Sequence, residues 1–316
     1  MQNMPDWSDF RYLLEVARTG TLTAAALRLG VDHTTVARRL ARLEAQLAST
    51  LFDRRRDGYA LTEAGQALLS HAEAIESAVL AAGETVGGSG GGASGAVRIG
   101  LPEVFGTRVV TPRLPALFER HPELSIELLL YHRFPNLASR EADLVITLDP
   151  PTSGRYVVSR LADFRYLLYA SPAYLARHPP IRCARDLAGH VFVDYVQDQL
   201  MSDELRYLER LVEEPRRVFS STGMLAQVEA ASAGLGLAML TPYSLTPDAR
   251  LVQVLAGEVY SESTLWLAAP ADLFRLRRLR VTWDFLRRLA EDNPALFGRP
   301  GTERMIGDDD HADRHG

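Results

Sequence analysis

Six arginines fall within residues 33–56: Arg38, Arg39, Arg42, Arg54, Arg55 and Arg56, against two acidic residues, Glu44 and Asp53. A guanidinium presents a planar fork of donors that matches phosphate oxygens and the major-groove edge of guanine. At 100° per residue, Arg38 and Arg42 fall on one side of a helix with Arg39 on its flank. His33, Thr34 and Thr35 precede them on the same stretch. This chemistry suits a polyanion, with His33, Thr34, Thr35 and Arg38 toward base edges and Arg39, Arg42 and Arg54–Arg56 toward phosphates. On their own, the helix arginines fit a solvated face equally well.

The rest of the composition narrows the field. All 35 basic residues are arginine and none is lysine, which removes chemistry based on a Schiff-base, P-loop or kinase lysine. Most of these arginines read as compositional background. There is no H-E-x-x-H in the chain, and the G-x-S-x-G and G-x-G-x-x-G spacings inside the glycine-rich run at 87–95 follow a helix and open a strand, the reverse of the strand-to-helix context those motifs need, so no enzyme, catalytic residue, cofactor or metal is expected. The single cysteine, Cys183, cannot form an internal disulfide or a zinc site; it is expected as a buried, inert thiol in a reducing cytoplasm. The N-terminus lacks the pattern of a signal peptide, and no apolar run approaches the roughly 18 residues of a membrane span. A cytoplasmic protein with no membrane partner is expected.

The arginines need a scaffold, and the preceding residues provide one. Phe10, Leu13, Leu14 and Ala17 share a helical face that Gly20 terminates; Thr21 caps a short second helix containing the small pair Ala25 and Ala26. Gly30 and Val31 make the turn. Asp32 then caps a third helix whose Val36, Leu40, Leu43 and Leu47 stripe faces inward. Leu51-Phe52 anchors the chain, and the Asp57-Gly58 turn suits a short hairpin carrying three arginines. Two short helices, a turn, a third helix and a wing make a winged helix-turn-helix.

The run from Phe10 to Gly65, with GTLTAAALRLGVDHTTVARRLARLE, LFDRR and YALTEAG in order, resembles the DNA-binding domain of LysR-type transcriptional regulators. Two positions depart from the family pattern: His33 stands where glutamine is usual and Ala37 where serine is usual. Imidazole cannot reproduce the bidentate amide contact to adenine, so the resemblance implies the fold and leaves the operator sequence open.

Between residues 62 and 86, Leu68, Ala72, Ile75, Val79, Ala82 and Val86 recur at alternating steps of four and three. That heptad seam on a helix of roughly 37 Å is longer than a 60-residue head can cover, so pairing with a second chain is expected. A homodimer or homotetramer reading an imperfect inverted repeat in double-stranded DNA follows. The family resemblance agrees, since this helix is its dimerisation element. Residues 87–95, GGSGGGASG, read as a flexible hinge of roughly 15–18 Å reach.

Residues 97–289 alternate apolar strands with helical stretches: strands are expected at 97–101, 124–130, 144–147, 166–170, 237–240 and 265–268. Helices are expected at 107–120, 223–233 and 275–289. VRIG, LPALFERHPEL, READLVI, LLYASPAYL, DLAGH and ASAGLGLAML are similar to the effector-binding half of LysR-type regulators. The resemblance implies a two-lobed α/β domain like a periplasmic binding protein. Lobe I is expected at about 96–160 and 262–298, and lobe II at about 161–261. The full expectation is α + α/β: a DNA-binding domain over 1–61, a linker helix over 62–86, a hinge over 87–95 and an effector domain over 96–298. A disordered tail over 299–316 is expected to follow.

In such a cleft, strand ends and helix N-termini supply the contacts. The matching positions are Pro102, Glu103, Val104 and Phe105, then Tyr131 and His132, Leu148 and Asp149, and Ser221, Thr222 and Gly223. A glutamate at this position repels a carboxylate unless paired, and Glu103 fits a solvent-facing helix start equally well. The tail's Asp308–Asp310, His311 and His315 read as a polar terminus in preference to a metal site. Together these features point to a transcriptional regulator of LysR type, modulated by a small-molecule effector held between two lobes. The alternative is a cytoplasmic solute-binding or enzyme-like α/β domain with an adaptor head.

Overall fold

Short-range capping rules set the boundaries of the N-terminal helices. The computed structural model describes residues 5–56, 58–87, 92–131, 141–152 and 154–297. Helix α1 spans Trp7–Thr19, where Asp6 accepts from the Ser8 N–H and Gly20, at φ 72°, closes the last turn. Helix α2, Leu22–Leu29, is capped by the Thr21 hydroxyl and ended by Gly30 at φ 67°. Helix α3, His33–Leu47, is capped by Asp32, which accepts from the Thr35 N–H. Both terminal glycines occupy the left-handed region, which costs other residues energy.

Val36, Leu40 and Leu43 of α3 are buried with Leu13, Leu14, Ala25 and Ala26, and Leu47 packs beside them. The head therefore closes around the face that the helical spacing predicted. The wing follows as an antiparallel hairpin, β1 (Phe52–Arg55) and β2 (Gly58–Leu61). It docks on α1 because the Tyr59 N–H donates to the Gly20 carbonyl at 2.7 Å. A Cβ at Gly58, φ 139°, would lie 2.3 Å from that same oxygen. The hairpin turn thus requires glycine for close approach as well as for backbone angle.

Thr62 accepts from the Gly65 N–H and opens helix α4, Glu63–Gly87. Ala72 of α4 is buried in the head core, with Leu68 and Leu69 against it. Arg18 of α1 ties the two elements together through Glu76 of α4 at 2.5 Å, and Glu15 one turn earlier on α1 holds the same guanidinium at 3.1 Å. Further along, Ile75, Val79 and Leu80 are exposed, whereas the Ser77 hydroxyl donates to Asp272 of the C-terminal module at 2.6 Å. The predicted seam is therefore covered at its start and open in its middle.

The C-terminal module is built on one mixed sheet. Its strands are β3 (Gly95–Pro102), β4 (Leu124–Tyr131) and β5 (Leu144–Thr147), with α5 (Leu114–Arg120) between the first two. The long β6 (Tyr156–Ala170) precedes α6 (Pro172–Leu175), β7 (Val191–Asp194), α7 (Leu208–Leu211) and β8 (Arg216–Ser220). Next come α8 (Met224–Ser232), β9 (Leu237–Leu240), β10 (Val252–Gln253), β11 (Tyr260–Pro270) and α9 (Arg277–Glu291). Among the described residues the order is β4-β3-β5-β11-β6-β9-β7-β8, with β10 also on β6. Parallel triplets lie at each end, β4-β3-β5 and β9-β7-β8, and antiparallel β6 and β11 join them.

Several expectations are corrected. The helix expected over 107–120 begins earlier and is not uniform: Phe105–Val110 winds as a π-helix, Thr111–Arg113 as a 3-10 turn and Leu114–Arg120 as α-helix. Pro112 and Pro115 supply no N–H and break the regular ladder. The strands expected at 166–170 and 265–268 are the parts nearest the core of β6 and β11, which pair from Tyr156 to Leu167 and from Tyr260 to Pro270. β7, β8 and β10 were not anticipated. Cys183 is exposed, not buried; it precedes a 3-10 turn on the surface, where its N–H donates to Asp186. His132, Asp57, residues 88–91 of the glycine-rich hinge and the 299–316 tail lie outside the described residues; the hinge expected over 87–95 is narrower, since Gly87 ends α4 and Gly95 opens β3.

Candidate functional site

Two surfaces bear on function, one on the head and one between the lobes. On the head, Asp32 anchors the start of α3. Its carboxylate accepts from the Thr35 N–H and hydroxyl, both at 2.8 Å, and from the Thr34 hydroxyl. These hydrogen bonds hold the Asp32 carboxyl far below the usual aspartate range. Thr34 and Thr35 are thereby oriented by their own cap, at the end of the helix that enters a groove in helix-turn-helix proteins. His33 and Arg38 are exposed beside them.

The arginines divide into two groups that the sequence does not distinguish. Arg39 donates to Asp9 at 3.1 Å, and Arg42 donates to Asp9 at 2.8 Å and to Asp6 at 3.0 Å. Asp9 is completely buried, so these two arginines neutralise an interior carboxylate and brace α3 against α1. Arg38, Arg55 and Arg56 form no ion pair with a described residue. Arg54 lies over the Tyr59 ring at 5.9 Å. Glu44 is also engaged internally, accepting from the Leu51 N–H at 2.8 Å at the entrance to the wing. With Glu44 turned inward, the helix start and wing present a more positive surface than their composition alone implies.

The second surface is a narrow cleft between the carboxyl ends of the two parallel triplets. Pro102, Glu103, Val104 and Phe105 after β3, Tyr131 at the end of β4 and Leu148 after β5 line one side. Tyr195, Met201, Leu205, Thr222, Met224 and Tyr243 line the other, and Phe164, Tyr166 and Leu265 of the crossing strands form the floor. Of the expected effector residues, Pro102, Glu103, Phe105, Tyr131 and Thr222 meet here. Asp149 is exposed outside the lining, and its carbonyl accepts from Thr147 at 2.7 Å. Ser221 accepts from the Gly223 N–H at 3.1 Å and shapes the turn before α8.

The missed residues are mostly aromatic. Phe164 meets Tyr166 edge-on at 5.1 Å, and Phe105 and Phe164 each lie about 6 Å from Tyr243. Burial pushes the phenols of Tyr166, Tyr195 and Tyr243 far upward; Glu103 contributes to the shift at Tyr195. The Glu103 Oε2 and the Tyr131 hydroxyl are both buried with no hydrogen-bond partner. The cleft is thus an apolar, aromatic chamber with two unsatisfied polar groups, a combination that favours a small ligand of matching polarity. Among the described residues, no cluster of three or more His, Cys, Asp or Glu side chains could hold a metal, and no helix is long and apolar enough to cross a membrane.

Comparison with known proteins adds an independent line. Residues 7–66 match the bacterial regulatory helix-turn-helix model of the lysR family, and residues 90–291 match the LysR substrate binding domain. HTH-type transcriptional activator TtdR of Escherichia coli is 27% identical over 294 residues, covering 90% of this chain and 94% of its own length. ArgP from Mycobacterium tuberculosis shares the fold with TM-score 0.66 and 22% identity, over 89% of this chain and 96% of that one. Full-length LysG from Corynebacterium glutamicum, solved with bound effector Arg, does so with TM-score 0.64 and 17% identity, over 91% and 98%.

Proposed function

The chain belongs to the LysR family of DNA-binding transcriptional regulators with an effector-binding domain, and we propose that it acts as a dimer whose heads read an inverted repeat in double-stranded DNA. The observation that carries this reading is the exposure of His33 and Arg38 on α3 together with that of Arg54, Arg55 and Arg56 on the wing. His33, Thr34, Thr35 and Arg38 contact base edges; Arg54, Arg55 and Arg56 contact phosphates. Arg39 and Arg42 hold α3 in place and reach the backbone only with the part of each guanidinium that Asp9 leaves free.

The open stretch of α4, with Ile75, Val79 and Leu80 exposed, is where the second chain lies. Covering it removes apolar side chains from water on both partners at once. A higher assembly, a tetramer, is a second use of the same unit. As a regulator of DNA the protein works in the cytoplasm.

The cleft lined by Glu103, Phe105, Tyr131, Tyr195 and Thr222 binds a small-molecule effector. Its apolar walls and its place at the strand ends support this assignment. LysG, which has the same fold, holds a small-molecule effector. Effector binding between the lobes biases the spacing or orientation of the paired heads and hence their grip on DNA. DNase footprinting of the full-length protein upstream of its own gene tests the reading. Two protected half-sites about one helical turn apart are expected; uniform protection at every salt concentration overturns it.

A further inference from the structure

We propose that the inter-lobe cleft selects a compact organic cation, an ammonium or amidinium group on an apolar body, with the Glu103 carboxylate as its counter-ion. The proposal rests on the reading of the cleft as the effector site and specifies its ligand class.

Three observations converge on it. The first is Glu103 itself: it follows β3, lines the cleft, and keeps Oε2 buried and without a hydrogen-bond partner. A carboxylate oxygen withdrawn from water without a donor is costly, and the cost is recovered when an occupant supplies one. Among the described residues that line the cleft, none carries a positive charge to do this.

The second is a conspicuous gap. The chain carries 35 arginines, yet among the described residues none lines the cleft; the lining holds one charge, and it is negative. Among the described lining residues an anionic effector would meet a like charge and no counter-ion.

The third is the wall chemistry. Phe105, Phe164, Tyr166, Tyr195 and Tyr243 bring five rings to one chamber. Aromatic faces are electron-rich and attract a cation once it is desolvated, while their surfaces receive an apolar body. The unpartnered Tyr131 hydroxyl gives the ligand one further polar point, so an occupant that bears a second hydrogen-bonding group is held in one orientation.

Three probes that share a phenyl ring and differ in head-group charge separate the alternatives: benzylamine, benzyl alcohol and benzoate, titrated into the full-length protein near neutral pH by calorimetry. Benzylamine is expected to bind tightest and benzoate weakest. Glu103→Gln keeps the side-chain volume, and its thermal unfolding should match the parent. It is expected to weaken benzylamine by at least about tenfold and to leave benzyl alcohol within about twofold.

Benzoate binding as tightly as benzylamine, or benzylamine unaffected by Glu103→Gln, overturns the cation assignment. Thr222→Trp, which fills the cleft from lobe II, tells the two layers of the argument apart. If benzoate prevails and Thr222→Trp abolishes its binding, the cleft remains a ligand site and the cation assignment falls. If no probe binds the parent protein, or none is affected by Thr222→Trp, both fall. The ranking of the three probes on the unmodified protein decides the matter even if a variant does not fold.

Discussion

Arg42 of α3 donates its Nε to Asp9 of α1 at 2.8 Å, and Asp9 is completely buried. A residue that composition places on a DNA-binding face is therefore also a strut of the head. Asp9→Asn or Arg42→Ala should lower head stability by about 2–4 kcal/mol, below the full cost of breaking a buried pair because the arginine heads remain hydrated. Arg38→Ala should leave thermal unfolding unchanged and weaken specific binding by about 1–3 kcal/mol. Unfolding curves and gel shifts on the same samples separate the roles; equal destabilisation by all three variants would remove the distinction.

Arg55 and Arg56, exposed on the wing, should contribute the same affinity to any duplex. Arg55→Ala is expected to weaken specific and nonspecific binding alike and to reduce the slope of log K against log salt by about 1. Titrations at several salt concentrations measure that slope. A change in sequence preference with the slope intact would place Arg55 on a base.

The open middle of α4 yields an assembly prediction. Ile75→Glu combined with Val79→Glu puts two carboxylates on each chain into the seam and should convert the dimer to monomer in sedimentation experiments. Each head should remain folded, since its core uses Leu68, Leu69 and Ala72 and neither substituted position. A dimer of unchanged affinity would move the interface elsewhere.

A pH dependence follows from lobe II. The Tyr174 hydroxyl accepts from the Val191 N–H at 3.1 Å and lies 3.1 Å from His190 Nδ1, to which it can donate its proton. Burial, then the nearby His178, depresses the His190 pKa below 6.5. Because the folded state holds the proton less well than the unfolded chain, this contribution is complete above about pH 6.5 and is lost as pH falls toward the folded value. Urea unfolding at pH 7.5 and 5.5 should show less acid sensitivity in His190→Gln than in the parent. Identical pH dependence in the two proteins would dismiss His190 as the cause.

The features legible in the sequence were those decided within a few residues. Thr21 and Asp32 cap their helices and Gly20 and Gly30 end theirs because those hydrogen bonds join near neighbours. Val36, Leu40 and Leu43 repeat at the helical period, so their burial could be read directly. The cleft was half legible: Pro102 and Tyr131 end strands and Glu103 follows one, a local rule. Phe164, Tyr195 and Tyr243 come from separate elements whose convergence only the sheet order determines. Asp9 likewise carried no signal, because its partners lie 30 and 33 residues away. Cys183 misled through its residue type: cysteine is commonly buried, but here it precedes a surface turn.

The continuous ladder of β6 and β11 has a mechanical meaning. These strands pair residue by residue from Tyr260 to Pro270, with one irregularity between Leu265 and Trp266, and Leu265 also floors the cleft. Both strands cross together, β11 pairing with β5 at one end and β6 with β9 at the other, so one ribbon joins the two halves of the sheet. The described break in that ribbon lies at the floor of the cleft, so a molecule held there would rest on the point where the ladder is irregular.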